Sequence, residues 1–393
     1  MPRVVRPHTA LPLAVMLLLA AALAGCGSNS APPPFAPAHG SEKKAVQQIG
    51  VPALATKNTT RIDGADPIAD AAAVAQAVYP AQTVATRPGA AVLADGADWR
   101  GALAASVLAG PPVRAPILLG HGSKAIPAAT REALTALKPG GSSAIGGAHV
   151  IRVGAVPAVP GSTGLTARDP FALAAAIDRF QAAAAGKPSA AVVVVSAAAP
   201  AYAMPAAGWA ARSGDPILFV TRDAVPAATQ QAIRAHQGAG VYILGPPSVI
   251  SPAVETQLKT LGGPVTRISG PDPVSNSIAF ARYLDPKFGW GIRDPGHGLV
   301  FASVRRPLDA AAAAPLSGSG TYGPLLVVDR ATPLPPALGA YLLDIQPGYK
   351  GDPTRGVYNH GWLIGDGSAI SVPTQAAIDQ LLEIAPVKTT TTP

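Results

Sequence analysis

The chain has 393 residues, a formal charge of +8, a single cysteine, and 48% hydrophobic against 13% charged residues. One cysteine excludes an internal disulfide, a cysteine-based metal site and a CxxC redox pair. The positive excess is too dilute for a nucleic-acid-binding surface, and the length exceeds what one hydrophobic core usually organises, so two or three domains are expected.

The N-terminus falls into three zones. Residues 1–9 carry Arg3 and Arg6 and no acid, and Leu11 to Leu23 is an apolar run of thirteen residues. That is shorter than the ~20 needed to span a bilayer as a helix, but it matches the core of a signal peptide. The run ends in Leu23-Ala24-Gly25-Cys26, which resembles the lipobox of bacterial lipoproteins. The resemblance implies cleavage after residue 25 and lipidation of Cys26, with a membrane as partner on its extracytoplasmic face. Two or three acyl chains, at ~0.8 kcal/mol per buried methylene, would hold the protein permanently. Loss of residues 1–25 removes Arg3 and Arg6 and leaves +6 on 368 residues (393 − 25).

Residues 26–59, with Gly27-Ser28-Asn29-Ser30, Pro32-Pro33-Pro34 and Pro37, read as a tether. Residues 387–393, ending in a run of threonines, read as a disordered tail.

Between them lies a triple repeat. Asp66-Pro67, Asp169-Pro170 and Asp272-Pro273 are spaced by 103 residues each (169 − 66 and 272 − 169). Residues 60–67 match residues 266–273 at six of eight positions. The repeats are expected at 60–160, 161–265 and 266–386. Each Asp-Pro opens an Ala-rich stretch with helical character, at 68–78, 171–184 and 274–284. Asp at the N-cap and Pro at the first helical position satisfy and remove orphan donors respectively, so helix capping is a sufficient role for Asp66 and Asp272. Apolar runs follow at 91–94, 191–195 and 299–302, then continuous β-branched and Leu runs at 115–119, 215–220 and 323–328. The latter have the pattern of strands buried on both faces. Further helices are expected at 128–137, 227–236 and 336–343, and closing strands at 143–147, 241–245 and 361–365. Strand and helix alternate three times per unit, which predicts α/β domains with small parallel sheets flanked by helices.

At Arg61-Ile62-Asp63-Gly64-Ala65-Asp66, Arg100-Gly101-Ala102-Leu103-Ala104-Ala105, Ala115-Pro116-Ile117-Leu118-Leu119 and Ile145-Gly146-Gly147 the chain resembles the cell wall-binding repeat 2 family. The similarity extends over about residues 60–386. It implies three tandem Rossmann-like modules packed as a triangle and an anionic cell-wall polymer as partner. Pro67, Pro170 and Pro273 stand where the family usually has Arg, which removes a basic side chain three times.

Catalytic motifs are weak. The seven histidines show no metal-ligand spacing, so no metal and no cofactor is expected. Gly318-Ser319-Gly320-Thr321-Tyr322-Gly323 has the GxGxxG form but precedes a strand, whereas a dinucleotide fingerprint follows one; it reads as a flexible loop. The candidate ligand-binding residues are Arg61, Asp66, Asp98, Trp99, Arg100, His121, Arg267, Asp272, Arg305 and Arg306. Most lie in loops after strands, where an aromatic and a guanidinium can stack on a sugar and hold an anion. The expected function is a non-catalytic envelope lipoprotein that binds wall polymer or scaffolds envelope partners. The alternatives are a lipid-anchored solute-binding protein with a cleft between modules and, less favoured, a hydrolase of wall components.

Overall fold

Each Asp-Pro pair opens a helix, for the reason the dipeptide predicts. The computed structural model describes residues 53–320 and 322–387; the expected leader, Cys26, residues 27–52 of the tether and the tail from residue 388 lie outside the described residues. Asp66 accepts the N–H groups of Ile68 and Ala69, both at 2.9 Å. Asp169 accepts that of Ala172 at 2.8 Å and Asp272 that of Ser275 at 2.9 Å. A cap of this kind contributes ~1 kcal/mol.

Strands β1 (Ala53–Ala55) and β2 (Thr59–Ile62) precede helix α1 (Pro67–Val78); β3 (Ala91–Asp95), α2 (Trp99–Ala105), β4 (Ile117–Gly120), α3 (Ala128–Leu137) and β5 (Val150–Val153) follow. The middle third holds β6 (Ser162–Leu165), α4 (Pro170–Ala185), β7 (Ala191–Ser196), α5 (Pro200–Ala203), α6 (Pro205–Ser213), β8 (Ile217–Val220), α7 (Ala227–Ala235), β9 (Gly240–Leu244) and α8 (Pro252–Lys259). The last holds β10 (Val265–Ile268), α9 (Pro273–Arg282), β11 (Gly298–Ser303), α10 (Leu308–Gly318), β12 (Leu325–Val328), α11 (Pro336–Asp344), β13 (Gly348–Tyr349), β14 (His360–Ile364), α12 (Val372–Leu382) and β15 (Ala385–Pro386).

Three sheets of one strand order result: β4-β3-β5-β6, β8-β7-β9-β10 and β12-β11-β14-β2. All their pairings are parallel; only β1, added outside β2, runs antiparallel. The outermost parallel strand of each sheet (β6, β10 and β2) comes from the start of a different repeat. β6 and β10 open the second and third repeats yet complete the sheets of the first and second. β2 opens the first repeat and completes the sheet of the last, pairing Thr60 with Trp362 and Ile62 with Ile364. These opening strands are not visible as strands in the hydropathy pattern, because Thr59–Ile62, Ser162–Leu165 and Val265–Ile268 each hold only one or two large apolar residues. Residues 53–59, expected as tether, form β1 and the start of β2.

The closing strand expected at 143–147 is a correction. Ser143–Ile145 is a 3-10 turn, and Gly146 and Gly147 have φ of 68° and 83°, left-handed values that turn the chain. The ladder resumes at β5, whose Val150, Ile151 and Val153 are buried.

At the centre, α2, α6 and α10 pack on one another and α1 packs on α10. Residues 309–317 of α10, mostly Ala, are all buried. A helix apolar all round belongs inside a core, and Ala allows its neighbours to come close. Gly208 of α6 and Gly318 of α10 mark close approaches: a Cβ at either would lie 2.7 Å from Ser317 Oγ or Ala211 O respectively. A second core group is aromatic, with Trp209 edge-on to Trp290 at 5.3 Å and tilted against Phe288 at 4.6 Å.

Arg61 secures the closing strand. Its buried guanidinium donates to Gln375 Oε1 at 2.9 Å, Gly365 O at 2.7 Å and Ile370 O at 2.6 Å. Truncation would leave buried acceptors unsatisfied, so Arg61→Ala is expected to lower the unfolding free energy by about 3 kcal/mol, read as a fall in the urea midpoint. A midpoint unchanged from wild type would refute the clamp.

Candidate functional site

In a parallel sheet that reverses strand order, ligands bind in the crevice beyond the carboxyl ends of the strands at the reversal. Here that place lies between β3 and β5, β7 and β9, and β11 and β14. The three crevices correspond residue by residue. Asp95, Ser196 and Ser303 end the first strand of each sheet, and each side-chain oxygen accepts the N–H two residues on, from Ala97 at 2.9 Å, Ala198 at 3.2 Å and Arg305 at 3.4 Å. Gly154, Gly245 and Gly365 donate across to the outermost strand, to Leu165 O, Ile268 O and Ile62 O, at 2.9–3.0 Å.

Six residues beyond each strand end stand Gly101, Tyr202 and Asp309. Four residues beyond each capping Asp stand Asp70, Leu173 and Asn276. These two sets meet across the sequence repeats, and the three meetings differ in chemistry. In the third sheet, Asp309 and Asp70 are both fully buried around Arg306. Arg306 Nε lies 2.8 Å from Asp309 Oδ2, its Nη2 bonds Asp70 Oδ2, and Nη1 is 3.9 Å from Asp366 Oδ1. The Nε contact is Coulombic rather than an aligned hydrogen bond, since neither atom has a partner of good angle. In the second sheet Tyr202 and Asn276 stand at these places: the Tyr202 hydroxyl donates to Pro271 O at 3.0 Å, and Asn276 Nδ2 donates to Tyr202 O at 3.4 Å. In the first sheet Gly101 supplies no side chain and Leu173 leans over it. A cavity of about 210 Å³ remains, lined by Asp95, Asp98, Gly154, Arg168 and Asp169 among others.

The candidate residues from the sequence sort accordingly. Arg61 and Arg267 are committed to internal partners; Arg267 donates to Glu255 Oε2 at 2.9 Å and Gly245 O at 2.8 Å, repeating the contact of Arg61 with Gly365. The first sheet has Gly164 at this position, and Arg152 of the adjacent strand lies over it, 3.0 Å from where a Cβ would be. Asp66 and Asp272 are helix caps. Trp99 packs edge-on against Phe219 at 5.7 Å. Arg306 is enclosed by carboxylates. Asp98 and Arg100 form a half-exposed ion pair at 2.7 Å on the rim of the open crevice. His121 is exposed in the loop after β4, where Gly122 N donates to Asp95 Oδ1 at 3.1 Å. Arg305 is exposed after β11. Cys26 lies outside the described residues. Sequence reading missed Asp70, Asp309, Tyr202 and Arg168; the signal available was the equal offset of Tyr202 and Asp309 from a strand end and of Asp70 from its capping Asp.

A second polar cluster is sealed. His236 Nδ1 faces Ser189 O at 2.8 Å and Nε2 faces the Asp178 carboxylate at 2.9 Å. Both neighbours are acceptors, so both ring nitrogens carry protons. Burial opposes that charge, but Asp178 overrides it and the histidine's pKa is raised. With side-chain exposures of 2% and 4%, the pair is closed to any substrate. Among the described residues no group of three or more His, Cys, Asp or Glu is placed to hold a metal ion, and no helix is long and apolar enough to cross a membrane.

Residues 61–155 and 165–255 match the Cell wall binding domain 2 (CWB2) family. Among solved structures, the chain is similar to Cwp8 from Clostridium difficile, with 17% identity, a TM-score of 0.62, and coverage of 87% of this chain and 54% of that one. It is also similar to Cwp6 from Clostridium difficile, with 18% identity, a TM-score of 0.62, and coverage of 84% and 50%. The chain thus spans about half the length of each. Among curated proteins none matches significantly.

The buried carboxylates carry a pH dependence. Burial, reinforced by Asp309, raises Asp70 from 3.8 to about 8, and burial raises Asp309 to about 7 against the pull of Arg306. A carboxyl whose folded value exceeds its unfolded one takes up a proton on folding, so its stabilisation is complete below the unfolded value and is lost as pH rises through the folded one. The urea midpoint is expected to fall between pH 4 and pH 8 from this source, and to fall less in Asp309→Asn. Equal slopes for the two proteins would show that the pair does not titrate in this range.

Proposed function

Because residues 61–155 and 165–255 are two tandem members of the cell wall binding domain 2 family, we propose that this protein is a non-catalytic, wall-associated protein of the bacterial envelope that binds an anionic wall polymer. Residues 266–386 act as a third copy in this reading. The support is topological: their strands take the same order as the other two sheets, with β2 in the outermost place. The three copies then form Rossmann-like modules around an approximate threefold arrangement, each sheet completed by the following repeat.

The tandem family match is the observation that carries the proposal. The mild positive excess and the exposed His121, Arg168 and Arg305 at carboxyl ends of strands agree with an anionic partner, because guanidinium groups hold phosphate or carboxylate with fixed geometry. Lipidation of Cys26 would fix the chain at the outer face of the membrane. Polymer binding would then bridge membrane to wall instead of serving retention.

Sedimentation with purified walls tests this. The protein is expected to sediment with native walls, to remain in solution with walls stripped of anionic polymer, and to be released as salt rises, because exposed charge pairs are screened. Arg305→Glu with Arg168→Glu is expected to weaken recovery several-fold. Equal recovery on native and stripped walls would overturn polymer binding.

A further inference from the structure

A further difference between equivalent positions lies away from the carboxyl-end crevices, toward the amino ends of β2 and β14. Trp362 pairs with Val300, three residues before the end of β11. The same position in the second sheet is Tyr242, opposite Val193, and in the first it is Ile151, opposite Val92. Ile151 is fully buried. Tyr242 is covered by a stacked ring: Phe288 lies parallel to it, with centroids 3.7 Å apart and planes 7° apart. Phe288 comes from the segment after α9. The corresponding segment after α1 places no ring over Trp362, since its Tyr79 turns away to donate to Arg114 O at 2.5 Å.

Trp362 is therefore left half-buried in a cavity of about 550 Å³, lined by Thr60, Val78, Leu316, Ser319, His360 and Trp362 among others. This volume falls within the range of small-molecule sites, about 300–1,000 Å³. The His360 ring stands edge-on to the indole at 5.1 Å and 70°. Burial holds His360 below its ordinary range, so at neutral pH it offers one N–H and one lone pair. An indole with an uncovered face, three hydroxyl or imidazole groups and two aliphatic side chains match a ring that is apolar on one face and hydroxylated at its edge. They do not match an anion, because among the described residues no Lys or Arg lines the cavity.

We propose that this cavity binds an uncharged pyranose ring, stacked on Trp362 as Phe288 stacks on Tyr242, with its hydroxyls bonded by Thr60, Ser319 and His360. The site is independent of polymer binding through the carboxyl-end loops. Its test is isothermal titration of the purified protein with the N-acetylglucosamine dimer and, separately, with glucose, decanoate and inorganic phosphate. Saturable binding of at least one saccharide is expected, on the order of millimolar as befits a small ligand. Loss of about tenfold or more in affinity is expected in Trp362→Ala, corresponding to one aromatic stacking contact, with retention in Trp362→Phe. Ala77→Phe, a substitution at the exposed helix end bordering the cavity, should block binding without changing the melting temperature. Absence of binding by either saccharide, binding unaffected by Ala77→Phe, or Trp362-dependent binding of decanoate or phosphate alone would each overturn the proposal.

Discussion

The fold depends on one non-covalent closure, the pairing of β2 with β14. Without it the last sheet lacks its outermost strand, the first repeat lacks an anchor for its opening, and α1 has no fixed place against α10. The pairing joins residues about 300 positions apart, so its loop-closure entropy must be offset by local contacts. Four ladder residues contribute modestly. The Arg61 guanidinium, spread over three acceptors on the closing segment, adds directional bonds that admit one register. Arg267 makes the same type of contact inside the second sheet, where the partners are close in sequence and less depends on it.

The same closing junction holds two buried carboxylates with a single guanidinium fully among them. Taking two charges of one sign out of water is costly, and sharing a proton is the cheaper state. The other two junctions avoid the cost, one with Leu173 over Gly101 and the other with Tyr202 and Asn276. One backbone geometry thus accepts an ionic, an apolar and a polar-aromatic filling. The consequence for binding is that the first carboxyl-end crevice, with no side chain on Gly101, keeps a cavity of about 210 Å³.

Residue order alone carried the helices at the Asp-Pro pairs, because capping chemistry is local and uses the same dipeptide three times. The central strands were equally legible, since runs such as Val192-Val193-Val194-Val195 suit a strand buried on both faces. The strand at 143–147 was misplaced because Ile145 suggested apolar continuity while Gly146 and Gly147 turn the chain. Candidate site residues were legible by type but not by role. An arginine in a loop after a strand reads alike whether it faces solvent, as Arg305 does, or is enclosed by Asp70 and Asp309, as Arg306 is. The enclosing aspartate at position 70 comes from a helix 236 residues away.

What the sequence by itself determined is the α/β class, the capped helices and the family resemblance, all of which rest on local chemistry or on periodic recurrence. The tertiary structure alone decided which sheet each opening strand joins, which charges are buried, and which of three equivalent aromatic or aliphatic positions is left uncovered at Trp362. Those outcomes depend on contacts between repeats. A pairing partner, a neighbouring carboxylate or a covering ring leaves no mark on the local pattern of the residue it meets.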